Sequence, residues 1–185
     1  MTKKSTWIIV GVVVIAILGF FMAYNNLVSL NEDVTGKWSQ VENQLQRRAD
    51  LIPNLVNTVK GYAAHEQQAI QAVTEARTQL GGAKGPEAMA GANENLTSAI
   101  SRLLVVVENY PDLKADANFR ALMDELAGSE NRIAIARRDY NNSVQIYNTK
   151  IKTLPTSLYA GMLGFGPREY FKVDEEAKKV PDVTF

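Results

Sequence analysis

Few residues in this chain are equipped for chemistry. Its one histidine, His65, stands beside Glu66. A zinc-protease helix needs a second histidine four positions after the first, so that two imidazoles reach one metal from the same face. That position is Ala69. His65-Glu66 is therefore half a motif, and a solvent-facing histidine on a helix is the expectation. The absence of cysteine removes disulfides, thiolate zinc sites and cysteine nucleophiles together. The cluster Gly81-Gly82-Ala83-Lys84-Gly85-Pro86 lacks both the Lys-Ser/Thr and the preceding strand of a phosphate loop. There is no Gly-x-Ser-x-Gly elbow, and His65 alone gives a serine triad little support. Asp124-Glu125 and Glu175-Glu176 are adjacent pairs, and neighbours on a helix point apart, so both read as solvated faces. Denser is the run Arg132, Arg137, Arg138, Asp139, Asn141 and Asn142. Its arginines suit either an anionic ligand or lipid headgroup, or ion pairs between helices. These residues predict no catalytic group, no metal site and no cofactor, and the protein is expected not to be an enzyme.

The elements that carry these residues read as helices. From Val34 to Leu80 a row spaced four and three runs through Val34, Trp38, Val41, Leu45, Arg48, Ile52, Leu55, Val59, Tyr62, Glu66, Ala69, Val73, Ala76 and Leu80. A 3.5-residue repeat is the seam of a coiled coil or a helical bundle. Pro53 interrupts it, and a kink near residues 49–53 is expected because proline cannot donate to the carbonyl of Ala49. The Gly81–Pro86 stretch is the clearest break, with Pro86 placed to open the next helix. That helix carries Met89, Ala92, Leu96, Ile100, Leu103, Val107 and Tyr110; a third, from about Ala117 to Pro155, carries Phe119, Met123, Leu126, Ile133, Tyr140, Val144, Tyr147 and Ile151. Charged residues interrupt the rows at Arg48, Glu66, Glu130 and Arg137. An unpaired buried charge is costly, so these four are expected in interhelical ion pairs. After Thr156 comes an apolar, glycine-rich stretch, Leu158 to Gly166, too short to span a bilayer. It suits packing on the bundle, insertion at a membrane surface, or contact with a neighbouring copy. A short polar helix is expected over Glu169–Lys179.

The N-terminus is different. Between Lys4 and Glu32 no residue is charged, and Trp7-Ile8-Ile9-Val10-Gly11-Val12-Val13-Val14-Ile15-Ala16-Ile17-Leu18-Gly19-Phe20-Phe21-Met22-Ala23-Tyr24 is nearly all apolar. At a rise of 1.5 Å per residue it spans about 27 Å, near the hydrocarbon thickness of a bilayer. Trp7 and Tyr24 fall where amphipathic rings favour the headgroup level. A signal peptide would have a shorter apolar core and a better cleavage site than Gly19 to Tyr24 offers. An uncleaved single-pass anchor is the expectation. Lys3 and Lys4 precede it, while Glu32 and Asp33 follow, which predicts a cytoplasmic N-terminus and a domain on the other side. The expected divisions are a short N-terminus over 1–6, a transmembrane helix over 7–24, a helical bundle over 25–154 and a tail over 155–185. Lacking a stop signal, the membrane helix is expected to continue as one rod from Trp7 towards Leu80.

Several separated motifs now resemble one family. They are Tyr24-Asn25, the run Val41-Glu42-Asn43-Gln44-Leu45-Gln46-Arg47-Arg48-Ala49-Asp50-Leu51-Ile52-Pro53-Asn54-Leu55-Val56, Tyr110-Pro111-Asp112-Leu113-Lys114-Ala115, and Glu130-Asn131-Arg132-Ile133-Ala134. Ala136-Arg137-Arg138-Asp139-Tyr140-Asn141, Tyr147-Asn148 and Tyr170-Phe171 complete the set. In this order they resemble the bacterial LemA family over almost the whole chain. The resemblance implies an all-α protein: a transmembrane helix continuing into a long antiparallel bundle, in the bacterial inner membrane, with no established enzymatic activity.

Charge narrows the partners. The chain has 20 basic and 20 acidic residues. Without Lys3 and Lys4 the remainder is slightly acidic, so nucleic acid is not an expected partner. No small-molecule substrate is indicated. The lipid bilayer is the expected partner, with an envelope protein as a further one. The first row, about 47 residues, outruns the second helix, about 25, which predicts a homo-oligomer on the uncovered seam. The reading is a membrane-anchored, self-associating scaffold; the alternative is a membrane-bound sensor that takes an anionic ligand near Arg132–Asn142.

Overall fold

The computed structural model of the chain describes residues 3–172, all helix, turn or extended connection, and no strand occurs among them. Five α-helices follow in order: α1 (Lys3–Tyr62), α2 (Gln67–Gly82), α3 (Pro86–Val107), α4 (Pro111–Ala115) and α5 (Ala117–Lys152). Two compact units divide the chain. One comprises Met1–Lys37 with Asn142–Arg168; the other comprises Trp38–Asn141 with Glu169–Phe185.

In the larger unit, the expected rod does not reach Leu80. The helix ends at Tyr62 and turns over residues 63–66, where the Ala63 N–H donates to Val59 O at 2.8 Å and the Glu66 N–H to Ala63 O at 3.1 Å. Folding back lets the row residues of α1 from Ile52 onward and those of α2 bury in one core. Leu55 and Val59 of α1 join Val73, Ala76 and Leu80 of α2, Leu96 and Leu103 of α3, Leu113 of α4 and Phe119 of α5. A straight rod would leave the later half of the row in water, and apolar burial stabilises by about 25 cal/mol per Å².

Two side chains fix that turn. Tyr110 Oη donates to Glu66 Oε1 at 2.9 Å, and Tyr62 Oη donates to Asp116 Oδ2 at 3.1 Å. Asp116 also caps α5, accepting from the Phe119 N–H at 2.8 Å and satisfying a donor that helix geometry leaves open. The α2–α3 connection needs Gly85, whose φ of 83° favours a residue without a Cβ, and Pro86 then opens α3 at its first turn.

In the smaller unit Leu27 and Val34 of α1 and Val144, Tyr147 and Ile151 of α5 are buried. Beyond α5 the chain makes two short 3₁₀ turns, Thr156–Leu158 and Gly161–Leu163. Thr156 and Ala160 are buried there. Gly164 ends the second turn with φ 81°.

Glu169 to Lys172 forms no helix where the expected polar helix would start, and the rest of that stretch lies outside the described residues. The cause is visible. In the larger unit Asn141 Nδ2 donates to Phe171 O at 3.0 Å, and the Phe171 N–H donates back to Asn141 Oδ1 at 2.9 Å. Tyr140 Oη donates to Glu169 O at 2.7 Å. In the smaller unit Asn148 Nδ2 donates to Arg168 O and accepts from the Arg168 N–H, both at 2.8 Å, and Tyr147 Oη donates to Gly166 O at 3.0 Å. These side chains satisfy backbone groups that a helix would have paired within itself.

Candidate functional site

Arg48 occupies an apolar row position in α1 between Leu45 and Ile52, and its side chain is 5% exposed. Its Nη1 donates to Asn93 Oδ1 of α3 at 2.7 Å and forms an ion pair with Glu130 Oε2 of α5, 2.7 Å away. Burial pulls the guanidinium below its ordinary pKa, and the Glu130 carboxylate opposes that shift. Since Glu130 is about half exposed, the pair runs from the core to the surface and joins three helices through one side chain.

Beside it, Glu125 Oε1 accepts from Arg47 Nη2 at 2.6 Å and from Arg132 Nη2 at 2.9 Å. The hydrogen bond from Arg47 is the largest influence holding the Glu125 carboxyl below its usual range, followed by that cation's charge and by Arg132. Gly128 leaves room for the Arg132 head, since a Cβ there would stand 3.3 Å from Nη1.

The four charges expected to pair across helices are placed differently from one another. Arg48 and Glu130 meet. Glu66 takes the Tyr110 hydroxyl rather than a cation. Arg137 lies exposed on the outer face, in no ion pair among the described residues, because the buried row of α5 runs Ile133, Ala136, Tyr140 and passes it by. Pro53 sits inside α1, which continues to Tyr62. His65 is exposed in the turn before α2, and no cluster of three His, Cys, Asp or Glu side chains able to hold a metal occurs among the described residues.

The arginine-rich run of α5 is dispersed. Arg138 pairs with its neighbour Asp139 at 3.2 Å, and Asn141 holds the tail backbone. Arg132 and Asp139 line a hollow of about 270 Å³ with Gln40, Asn43 and Gln44 of α1. Gln44 Oε1 and Arg132 Nε are buried there without a hydrogen bond among the described residues. An anion entering would meet the Asp139 carboxylate, and Arg132 is already committed to Glu125.

In the smaller unit, the other candidate surface is the apolar stretch of α1. Trp7, Ile8, Val12, Ile15, Phe21 and Met22 are each more than half exposed, and none of the most apolar window is buried. The same helix buries Leu27 and Val34 once that stretch is past. Such an uncharged face of this length is fit to cross a membrane.

Sequence reasoning did not find Asn93, the Glu125 bridge or the cap at Asp116. The cap has a local signal, Asp three residues before a buried Phe; the others depend on pairings that appear when helices meet. The repeated Tyr-Asn dipeptide, seven residues apart at 140–141 and 147–148, was visible as a motif but not as a pair of backbone holders.

Fold and surface together define an all-helical protein with, among the described residues, one helix long and apolar enough to cross a membrane. The LemA family model matches residues 37–185, and the chain belongs to the LemA family. It is 31% identical to magnetosome protein MamQ 2 of Paramagnetospirillum magneticum, over 93% of this chain and 72% of that one. It is 27% identical to magnetosome protein MamQ of Magnetospirillum gryphiswaldense, over 100% of this chain and 78% of that one. A protein LemA of Metamycoplasma hominis is 23% identical, over 84% of this chain and 74% of that one.

Proposed function

We propose that this protein is a membrane-anchored helical scaffold without enzymatic activity, which self-associates at the membrane. One observation carries the reading: α1 exposes its large apolar side chains from Trp7 to Tyr24 and then, without a break, buries Leu27 and Val34. Leaving that many large apolar side chains in water would be costly, and lipid removes the cost. The helix is then the anchor, with Lys3 and Lys4 on the cytoplasmic side and the folded domain beyond Tyr24 on the other.

Self-association has narrower support than the sequence suggested. The row beyond Tyr62 folds back on its own chain, which removes the long uncovered seam. What remains is the anchor, where Ala16, Gly19 and Ala23 recur at the three- and four-residue spacing that lets membrane helices approach closely. The sensor alternative rests on the hollow beside Arg132, and the Asp139 carboxylate at that hollow weakens it.

Alkaline extraction of membranes tests the anchor. Full-length protein should stay in the pellet, and a chain lacking residues 1–24 should leave it. Crosslinking in native membranes tests the second half: a ladder of multimers is expected, and monomer alone would remove self-association from the reading.

A further inference from the structure

We propose that the loop Leu154–Leu163 is a second membrane element, seated in the bilayer boundary beside the outer end of the anchor helix. This rests on the reading of α1 as an anchor. All of the relevant groups belong to the smaller unit.

Two ring contacts set the level of the loop. Tyr159 packs edge-on against Phe20 with centroids 5.2 Å apart, and Phe165 packs similarly on Tyr24 at 5.9 Å. Phe20 lies four residues inside Tyr24, about 6 Å deeper along the helix. A loop held against Phe20 is thereby held at the last turn of the apolar stretch, at the edge of the hydrocarbon.

What the loop shows outward suits that level. Leu154, Leu158 and Met162 are 76%, 71% and 89% exposed. In water they form an unexplained apolar surface; beside a membrane-spanning helix they face lipid. From Thr153 to Pro167 no residue is charged, and the stretch is bounded by Lys152 and Arg168. Arg168 donates to Asn31 Oδ1 from Nη2 at 2.8 Å and from Nε at 3.1 Å. Asn31 is seven residues beyond Tyr24, about 10 Å further from the membrane centre, which puts the guanidinium at headgroup height. Uncharged loop and uncharged helix thus end at a common basic fringe. A second copy of the chain is the competing occupant, but that continuity with the anchor favours lipid.

The chain has no native cysteine, so single substitutions can report position. Full-length Met162→Cys, Ile17→Cys and Ser101→Cys would each be labelled with an environment-sensitive fluorophore in phosphatidylcholine–phosphatidylglycerol vesicles. Quenching would be read with aqueous iodide and with lipid carrying a nitroxide high on the acyl chain. The Met162→Cys probe should be blue-shifted from Ser101→Cys, quenched by the lipid nitroxide and several-fold less sensitive to iodide. If it answers to iodide like Ser101→Cys while Ile17→Cys answers to lipid, the loop proposal fails and the anchor stands. If Ile17→Cys also answers to iodide, both fail. Shielding of Met162→Cys from both quenchers would assign the surface to a second copy and overturn the lipid proposal.

Discussion

Arg77 Nε of α2 donates to the carbonyl oxygen of Ala49 in α1 at 2.9 Å. Ala49 is four residues before Pro53, so its carbonyl is the one that proline leaves without an intrahelical donor. A helix interior normally cannot afford that gap. Here the folded-back α2 fills it with a charged donor, and the break in one helix becomes a joint between two.

Arg77→Ala should destabilise the protein by about 1.5–3 kcal/mol, the range for a hydrogen bond from a charged group. The two residues should be coupled. In a Pro53→Ala background the residue at 53 regains an N–H for Ala49, so Arg77→Ala should cost less there, with a coupling energy of about 1 kcal/mol. Urea unfolding of the four proteins in detergent measures it; additive costs would show that Arg77 acts elsewhere.

The helical class, the apolar stretch and most core positions were legible because periodicity and length are local properties. Leu96, Leu103 and Leu126 are buried where their rows put them. Missed was the reversal after Tyr62. Nothing within Gly61 to Glu66 demands it; Tyr110 and Asp116, far along the chain, hold the turn. The row itself misled, since a 3.5-residue repeat continues equally well through one helix or through two that fold together. Arg137 was misplaced because a three-four spacing allows either 136 or 137, and Ala136 is the smaller group to bury.

Arg48→Met should cost about 1–3 kcal/mol, because it leaves the buried Asn93 carbonyl oxygen without a donor. Replacing both with Arg48→Met and Asn93→Leu should recover much of that loss, since the acceptor leaves with the cation. Glu130→Gln should cost less than Arg48→Met, as the glutamate is half in water and an amide oxygen can still accept. Chemical denaturation ranks the three, and a double variant no better than the single would refute the argument.

Acid should weaken the fold through two carboxylates. Arg47 holds the Glu125 carboxyl low, and the Phe119 N–H does the same for Asp116. Unfolded, each takes up a proton near its ordinary value of about 4. Folded, each does so at lower pH, so the unfolded state binds more protons between the two values and stability drops as pH falls through them. Tyr62 and Tyr110 have the opposite sign. Their hydrogen bonds to Asp116 and Glu66 raise them, so their contribution is present below about pH 10 and lost above it. Unfolding midpoints should therefore form a plateau between these limits, and Arg47→Met should flatten the acid limb.

Asn141→Asp separates the tail from the core. The native amide both donates to Phe171 O and accepts from its N–H, which an aspartate cannot do, since it keeps two acceptors and loses the donor. One lost bond of about 1.4 kcal/mol corresponds to a tenfold change in the local opening equilibrium. Hydrogen exchange at the Phe171 amide should speed up by about that factor, because exchange reads opening of the segment rather than of the whole fold. Phe171 still packs on Trp38, with ring centroids 6.2 Å apart, so its side chain should stay buried between openings. Asn148→Asp makes the same change for Arg168 in the smaller unit, and the Arg168 amide is where its effect should appear. An equal rise at both amides from either variant would mean that residues 166–171 open as one strap and that the two asparagines are not independent holders.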